Sequence, residues 1–190
     1  ACYLAAAFFY LFQRQRDAVG LFDYSDRIHN YFPPRASRRH FLALLSHLES
    51  LKPENTSRAA LWFHQAAEQV HRRSLVMIFS DFFDLDRAFT QALQHFRYKQ
   101  CEVVLFQILD PLETELPYRG LVDFQDVETG ERIEVETDDF RRAYLTALHD
   151  YNREIKLVCN RMDIAFESMT TRTGFERALV AYFHKREKLM

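Results

Sequence analysis

Three aspartates close the segment LVMIFSDFFDLD, Leu75–Asp86, and their type and spacing raise the question of chemistry. Asp81 comes directly after the apolar run, and Asp84 and Asp86 follow within five positions. If the run is a buried strand, Asp81 stands just past its carboxyl end, where a side chain reaches a crevice rather than a core. A hard cation such as Mg²⁺ takes oxygen ligands from several segments, and Thr56, ahead of a helix, is a second candidate ligand. The plainer alternatives are a loop carboxylate bonded to nearby amides for Asp81 and an N-cap for Thr56. Asp84 is placed to cap a helix opening at Leu85, and Asp86 to complement the dipole of its first turn.

A metal-dependent phosphohydrolase of the haloacid-dehalogenase type would need Asp-x-Asp at the strand tip. Here the tip reads Asp81-Phe82-Phe83-Asp84, a different spacing. The histidine pairs His40/His47 and His64/His71 are each seven residues apart. On a helix that is about 10 Å along the axis, too far to share a metal whose ligands lie about 2 Å away. They read as exposed or half-buried helix residues. No glycine-rich phosphate loop and no Ser/His/Asp or Cys/His set is present. The segment PPRASRRH gathers Arg35, Arg38, Arg39 and His40 around a helix N-terminus, where the dipole does not favour positive charge. Such a cluster suits an acidic partner surface, a phosphate group, or plain solvent; double-stranded nucleic acid fits it less well.

These side chains need a scaffold, and 190 residues with 48% hydrophobic content supply one domain's worth of core. Eighteen Phe and nine Tyr against four Gly and five Pro mark an ordered chain. A net charge of −2 argues against broad nucleic-acid or anionic-membrane binding. Cys2, Cys101 and Cys159 are odd in number and far apart, which suits reduced thiols in a cytoplasmic protein. The opening CYLAAAFFYLF is too short for a membrane span and lacks the flanks of a signal peptide.

Periodicity assigns the elements. Leu4, Ala7, Phe8 and Leu11 share a helix face. Val19–Asp23 and Ile28–Phe32 are short strands around a Tyr24-Ser25-Asp26 turn, the second stopped by Pro33-Pro34. Ser37 caps a helix carrying Phe41, Leu44, Leu45, Leu48 and Leu51, and Ala59, Phe63, Ala66, Ala67 and Val70 mark the next. LVMIFS and EVVLFQIL read as strands buried on both faces of a parallel sheet, with a helix from Leu85 to Phe96 between them. From Asp110 the pattern breaks, and residues 121–136 form a half-exposed hairpin at the sheet's periphery. A long helix from Phe140 to Met162, a last strand Ile164–Ser168 and a helix with a Thr173/Glu176 capping box follow.

The order DAVGLFDYSDRIHNYFPPRASRRH, RRSLVMIFSDFFD and EVVLFQILDPLETELPYRGLVDFQDVETGE resembles the bacterial domain-of-unknown-function 58 family, which is similar to von Willebrand factor A domains. The resemblance implies an α/β, Rossmann-like three-layer sandwich with a mostly parallel sheet and a peripheral hairpin, one domain over residues 1–190. It also implies a metal-ion-dependent adhesion site in which Thr56 and Asp81 match two elements. The third, an Asp-x-Ser-x-Ser loop on the first central strand, has no match and would lie before Ala1. Phe82 stands where metal-binding relatives commonly carry Gly. The expectation is therefore a degenerate, empty site in this chain, with Mg²⁺ a candidate for a longer protein. The absent strand would leave a gap between Val19–Asp23 and Leu75–Ser80, closed by direct pairing, self-association or collapse of flanking helices.

The family is associated with MoxR-type AAA+ ATPases in chaperone-like assembly or maturation of other proteins, and no enzymatic activity is implied. The resemblance thus points to a protein-interaction module, with Arg35, Arg38 and Arg39 as a partner-binding cluster. The alternatives are a metal-dependent phosphohydrolase using Asp81, and a phosphate- or nucleic-acid-binding protein using Arg35–Arg39.

Overall fold

The computed structural model describes residues 1–25, 28–52, 59–83, 87–126, 130–174, 176, 179–180 and 182–183, with 59–62 in backbone only. It is a mixed α/β chain that groups into two compact units: residues 1–70, 83–92 and 173–190, and residues 71–82 and 93–172.

In the first unit, helix α1 (Cys2–Gln15) buries Leu4, Ala5, Phe8 and Phe9, the expected apolar face turned slightly. Strands β1 (Val19–Tyr24) and β2 (Ile28–Arg35) pair antiparallel as a two-stranded sheet. The prolines do not stop β2, which runs through Pro33 and Pro34. A proline lacks only the N–H, and on a strand with a single hydrogen-bonded neighbour that donor can face outward without loss. The pairing is irregular between Val19 and Leu21, and there Gly20 lets β2 come close. A Cβ on Gly20 would sit 2.8 Å from the Phe32 carbonyl oxygen and 3.1 Å from Pro34.

Helix α2 (Arg38–Ser50) opens on Ser37, whose hydroxyl accepts the His40 N–H at 3.2 Å, as its position predicts. Leu44 and Leu48 are its buried residues. Helix α3 (Ala59–Gln69) adds Phe63, whose ring meets Tyr24 and Phe89 edge-on, each with centroids 5.0 Å apart. The predicted caps Thr56, Asp84 and Asp86 lie outside the described residues. Of the last helix, Glu176, Leu179, Val180, Tyr182 and Phe183 are helical, and the Tyr182 ring packs edge-on against Phe8 at 5.4 Å.

The second unit holds a parallel sheet of β3 (Leu75–Ser80), β4 (Glu102–Leu109) and β7 (Ala165–Thr170), with β4 central. The expectation that two strands would be buried on both faces holds for β4, where six of eight residues are buried. It fails for β3, where only Ile78 is buried. Among the described residues β3 pairs with β4 alone and β1 with β2 alone. A strand with one neighbour keeps part of its surface open. The connection between β3 and β4 contains α4 (Arg87–Tyr98), whose Phe89, Ala92, Leu93 and Phe96 are buried as the periodicity predicts.

Where the pattern breaks after Asp110, the chain forms an element the apolar spacing does not show, the five-residue helix α5 (Pro111–Glu115). Asp110 and Glu113 make a reciprocal capping box with Pro at the first helical position. Strands β5 (Leu121–Gln125) and β6 (Arg132–Glu136) form the expected hairpin, but as a separate two-stranded sheet rather than an extension of the parallel one. Helix α6 (Thr137–Arg161) follows directly; buried Thr137 donates its hydroxyl to the Gly120 carbonyl at 2.9 Å, tying the helix start to the hairpin start.

Candidate functional site

The carboxyl ends of the three parallel strands carry one polar row. Ser80 of β3, Gln107 of β4 and Ser168 of β7 are paired in register across the sheet. Gln107 is fully buried, so its amide must be satisfied from within the protein. Its Nε2 donates to the Asp81 carbonyl at 3.1 Å and to Asn152 Oδ1 of α6 at 2.9 Å, while its Oε1 accepts the Ser168 hydroxyl at 2.7 Å. All three of these bonds use different positions of one amide, so Gln107 joins the strand ends, α6 and the Asp81 loop at a single point.

The loop itself is tightly specified. Ser80 Oγ accepts the Phe82 N–H at 3.2 Å and donates to Asp81 Oδ1 at 3.3 Å. Phe82 adopts φ +61, the left-handed region. A side chain there clashes with the following carbonyl at about 1–2 kcal/mol, a cost that Gly escapes. Phe82 is held there by burial, being 3% exposed, and by the Tyr151 hydroxyl, which donates to its carbonyl. Two successive residues of α6 thus reach two successive peptides: Tyr151 the Phe82 carbonyl directly, and Asn152 the Asp81 carbonyl through Gln107. The result is an exposed Asp81 on a fixed backbone.

Asp81 stands where the sequence predicts, past the end of β3 in an exposed loop. Thr56, its predicted co-ligand, lies outside the described residues. Among the described residues no group of three or more His, Cys, Asp or Glu side chains converges on a point. Asp81 and Ser80 are, among the described residues, the two oxygen-bearing side chains of this loop, and the Ser80 hydroxyl is already in two hydrogen bonds. No metal chemistry is derived from this set.

Arg35, Arg38 and Arg39 are exposed at the end of β2 and in the first turn of α2. The first turn of α2 carries no acidic residue to offset them. His40, next to them in sequence, is half-buried rather than exposed. A carbonyl can only accept, so His40 carries its proton on Nε2 and donates to the Val19 carbonyl at 2.9 Å. One helical heptad later, His47 Nε2 lies 3.4 Å from Asp23 Oδ2, which also accepts from Asn30 Nδ2 at 3.0 Å. His40 therefore ties the start of α2 to the start of β1, while His47 lies beside Asp23 near the other end of the strand, its Nε2 making no hydrogen bond among the described residues.

The polar row was missed by sequence reasoning, although a signal exists. Ser80, Gln107 and Ser168 are polar residues in the carboxyl-terminal halves of the runs LVMIFS, EVVLFQIL and AFESMT. A buried Gln inside an apolar strand demands partners, and only the sheet order shows where they come from.

The fold is similar to that of BatB from Bacteroides thetaiotaomicron, a conserved hypothetical protein. The TM-score is 0.62 at 13% identity, over 99% of this chain and 87% of that one. It is also similar to an aerotolerance-related membrane protein from Bacteroides fragilis, with a TM-score of 0.59 at 13% identity, over 97% of this chain and 88% of that one. No helix among the described residues is long and apolar enough to cross a membrane. No curated protein matches the chain. The family model described as protein of unknown function DUF58 matches residues 1–154, and with most of the chain covered, including the β3–Asp81 loop and the β5–β6 hairpin, the chain belongs to the DUF58 family.

Proposed function

We propose that this chain is a non-enzymatic, cytoplasmic protein-interaction module of von Willebrand factor A-like build, working with a MoxR-type AAA+ ATPase in the assembly or maturation of other proteins. The observation that carries this reading is the Asp81 loop. It projects an exposed carboxylate from the carboxyl end of a parallel sheet, the usual place for a ligand-contacting loop in such sheets. Its backbone is fixed from beneath by Gln107 and Tyr151. A carboxylate held this way loses little freedom when it meets a cationic group on a partner, which favours binding. Arg35, Arg38 and Arg39 give a second contact surface of opposite sign.

The test is capture of a purified MoxR-type ATPase from the same organism by the immobilised chain. Capture that weakens with Asp81→Ala or Arg38→Glu supports the reading. A chain that captures no such ATPase, or turnover of phosphate esters with Mg²⁺ or Mn²⁺ that is lost with Asp81→Ala, overturns it.

A further inference from the structure

The charges of this chain are strongly segregated. Residues 102–140 hold twelve Asp and Glu against two Arg, a net charge of −10 in a chain whose total is −2. Three of the twelve fall on one face of the β5–β6 hairpin. Asp123 is paired in register with Glu134 and Leu121 with Glu136, so Asp123, Glu134 and Glu136 share a face. Like charges directly opposite one another destabilise an antiparallel pair. Arg132 answers Asp123 at 3.4 Å, between exposed side chains. Among the described residues, Glu134 and Glu136 meet no cation.

The opposite excess lies in the other unit. The end of α1 and the start of α2 line one narrow cleft with Gln13, Asp17, Arg35, Ser37 and His40. Next to these residues in sequence are the exposed Arg14, Arg16, Arg38 and Arg39. Arg14 reaches only the Tyr10 hydroxyl, at 3.5 Å, and among the described residues Arg35, Arg38 and Arg39 meet no acceptor. Positive charge in the first turn of a helix is itself disfavoured by the dipole. Each patch therefore carries charge left unanswered among the described residues, and the two are opposite in sign.

We propose that the arginine-rich end of α1, β2 and α2 is a docking surface for the acidic β5–β6 hairpin of a second copy of this chain. The contact joins two different surfaces, the arginine patch of one copy and the acidic hairpin of the other. Rim charges of this kind act over a Debye length of about 10 Å at 0.1 M salt and about 3 Å at 1 M, so the association belongs to low ionic strength.

Sedimentation velocity at low and at 1 M salt tests it. Wild-type protein sediments as a concentration-dependent oligomer at low salt and as a monomer at high salt. Arg38→Glu with Arg39→Glu, and separately Glu134→Lys with Glu136→Lys, each give monomers at low salt. An equimolar mixture of the two regains association, because each supplies the surface the other has lost. The neutral pairs Arg38→Gln with Arg39→Gln and Glu134→Gln with Glu136→Gln guard against misfolding and also give monomers. A wild type that is monomeric at low salt overturns the proposal, as does a reversed variant that still self-associates or a mixture that does not. If the wild type is monomeric but its capture of an ATPase still depends on Arg38, self-association fails while the proposed function stands.

Discussion

Replacing Phe82 by Ala and by Gly separates two contributions that the structure places on one residue. The ring is 3% exposed, and truncating a buried Phe to Ala costs about 3–5 kcal/mol. The backbone at φ +61 penalises any side chain by about 1–2 kcal/mol, a cost that Ala keeps and Gly sheds. Gly also gives the unfolded chain more freedom, which takes back about 0.4–1 kcal/mol. The difference leaves Phe82→Gly more stable than Phe82→Ala by about 0.5–1 kcal/mol, the reverse of the usual order. For a chain of this size each kcal/mol moves the melting temperature by about 2–4 °C. Phe82→Ala therefore melts about 6–20 °C below wild type, with the Gly variant about 2 °C above the Ala variant. Leu93 is the control: it is 1% exposed in the middle of α4, so there Gly falls below Ala by about 1 kcal/mol. Urea unfolding of the four variants decides the matter. If Phe82→Gly is less stable than Phe82→Ala, Phe82 is not held in the left-handed region and the fixed-loop reasoning fails.

Other consequences follow from single contacts. Gln107→Leu leaves the Ser168 hydroxyl, the Asn152 amide oxygen and the Asp81 carbonyl without their shared partner, and costs about 1–3 kcal/mol in urea unfolding; amide exchange at residues 81–83 rises with it. Gly20→Ala sets a Cβ 2.8 Å from the Phe32 carbonyl oxygen, so the β1–β2 pair must shift at about 1–3 kcal/mol, read as a lower urea midpoint. Tyr144 is pushed above its usual pKa of 10.0, first by burial and then by the nearby Glu113 carboxylate. A folded-state pKa raised above the unfolded one gives stability that is complete below pH 10 and lost as pH climbs through the folded value. Absorbance at alkaline pH therefore shows a late-titrating tyrosine that is lost in Tyr144→Phe, and that variant loses less stability above pH 10 than wild type.

Most elements were legible because their apolar residues repeat at the helix or strand period. Leu44 and Leu48 of α2, Phe89, Leu93 and Phe96 of α4, and the continuous run of β4 lie buried where that period places them. The departures have local causes. Pro33 and Pro34 end a strand only when their missing donors are needed, and sequence does not say that β2 has a neighbour on one side alone. Helix α5 is defined by its capping box, a polar signal too short for periodicity to register. Asp81 could be placed from its position after an apolar run. The conformation of Phe82 could not, because a left-handed phenylalanine is sustained by burial and by Tyr151, 69 residues away. The histidines were set aside for lack of a metal, yet His40 hydrogen-bonds β1 and His47 lies beside it, neighbours visible only once the strand lies beside the helix.

Central to this reading is that Asp81 contacts a partner from a fixed loop, and the most direct measurement is the affinity of the purified chain for a purified MoxR-type ATPase. Wild type binds, and Asp81→Ala binds at least about tenfold more weakly, a loss of about 1.4 kcal/mol, with an unchanged unfolding curve. Equal affinities for wild type and Asp81→Ala, or no binding by either, would contradict it.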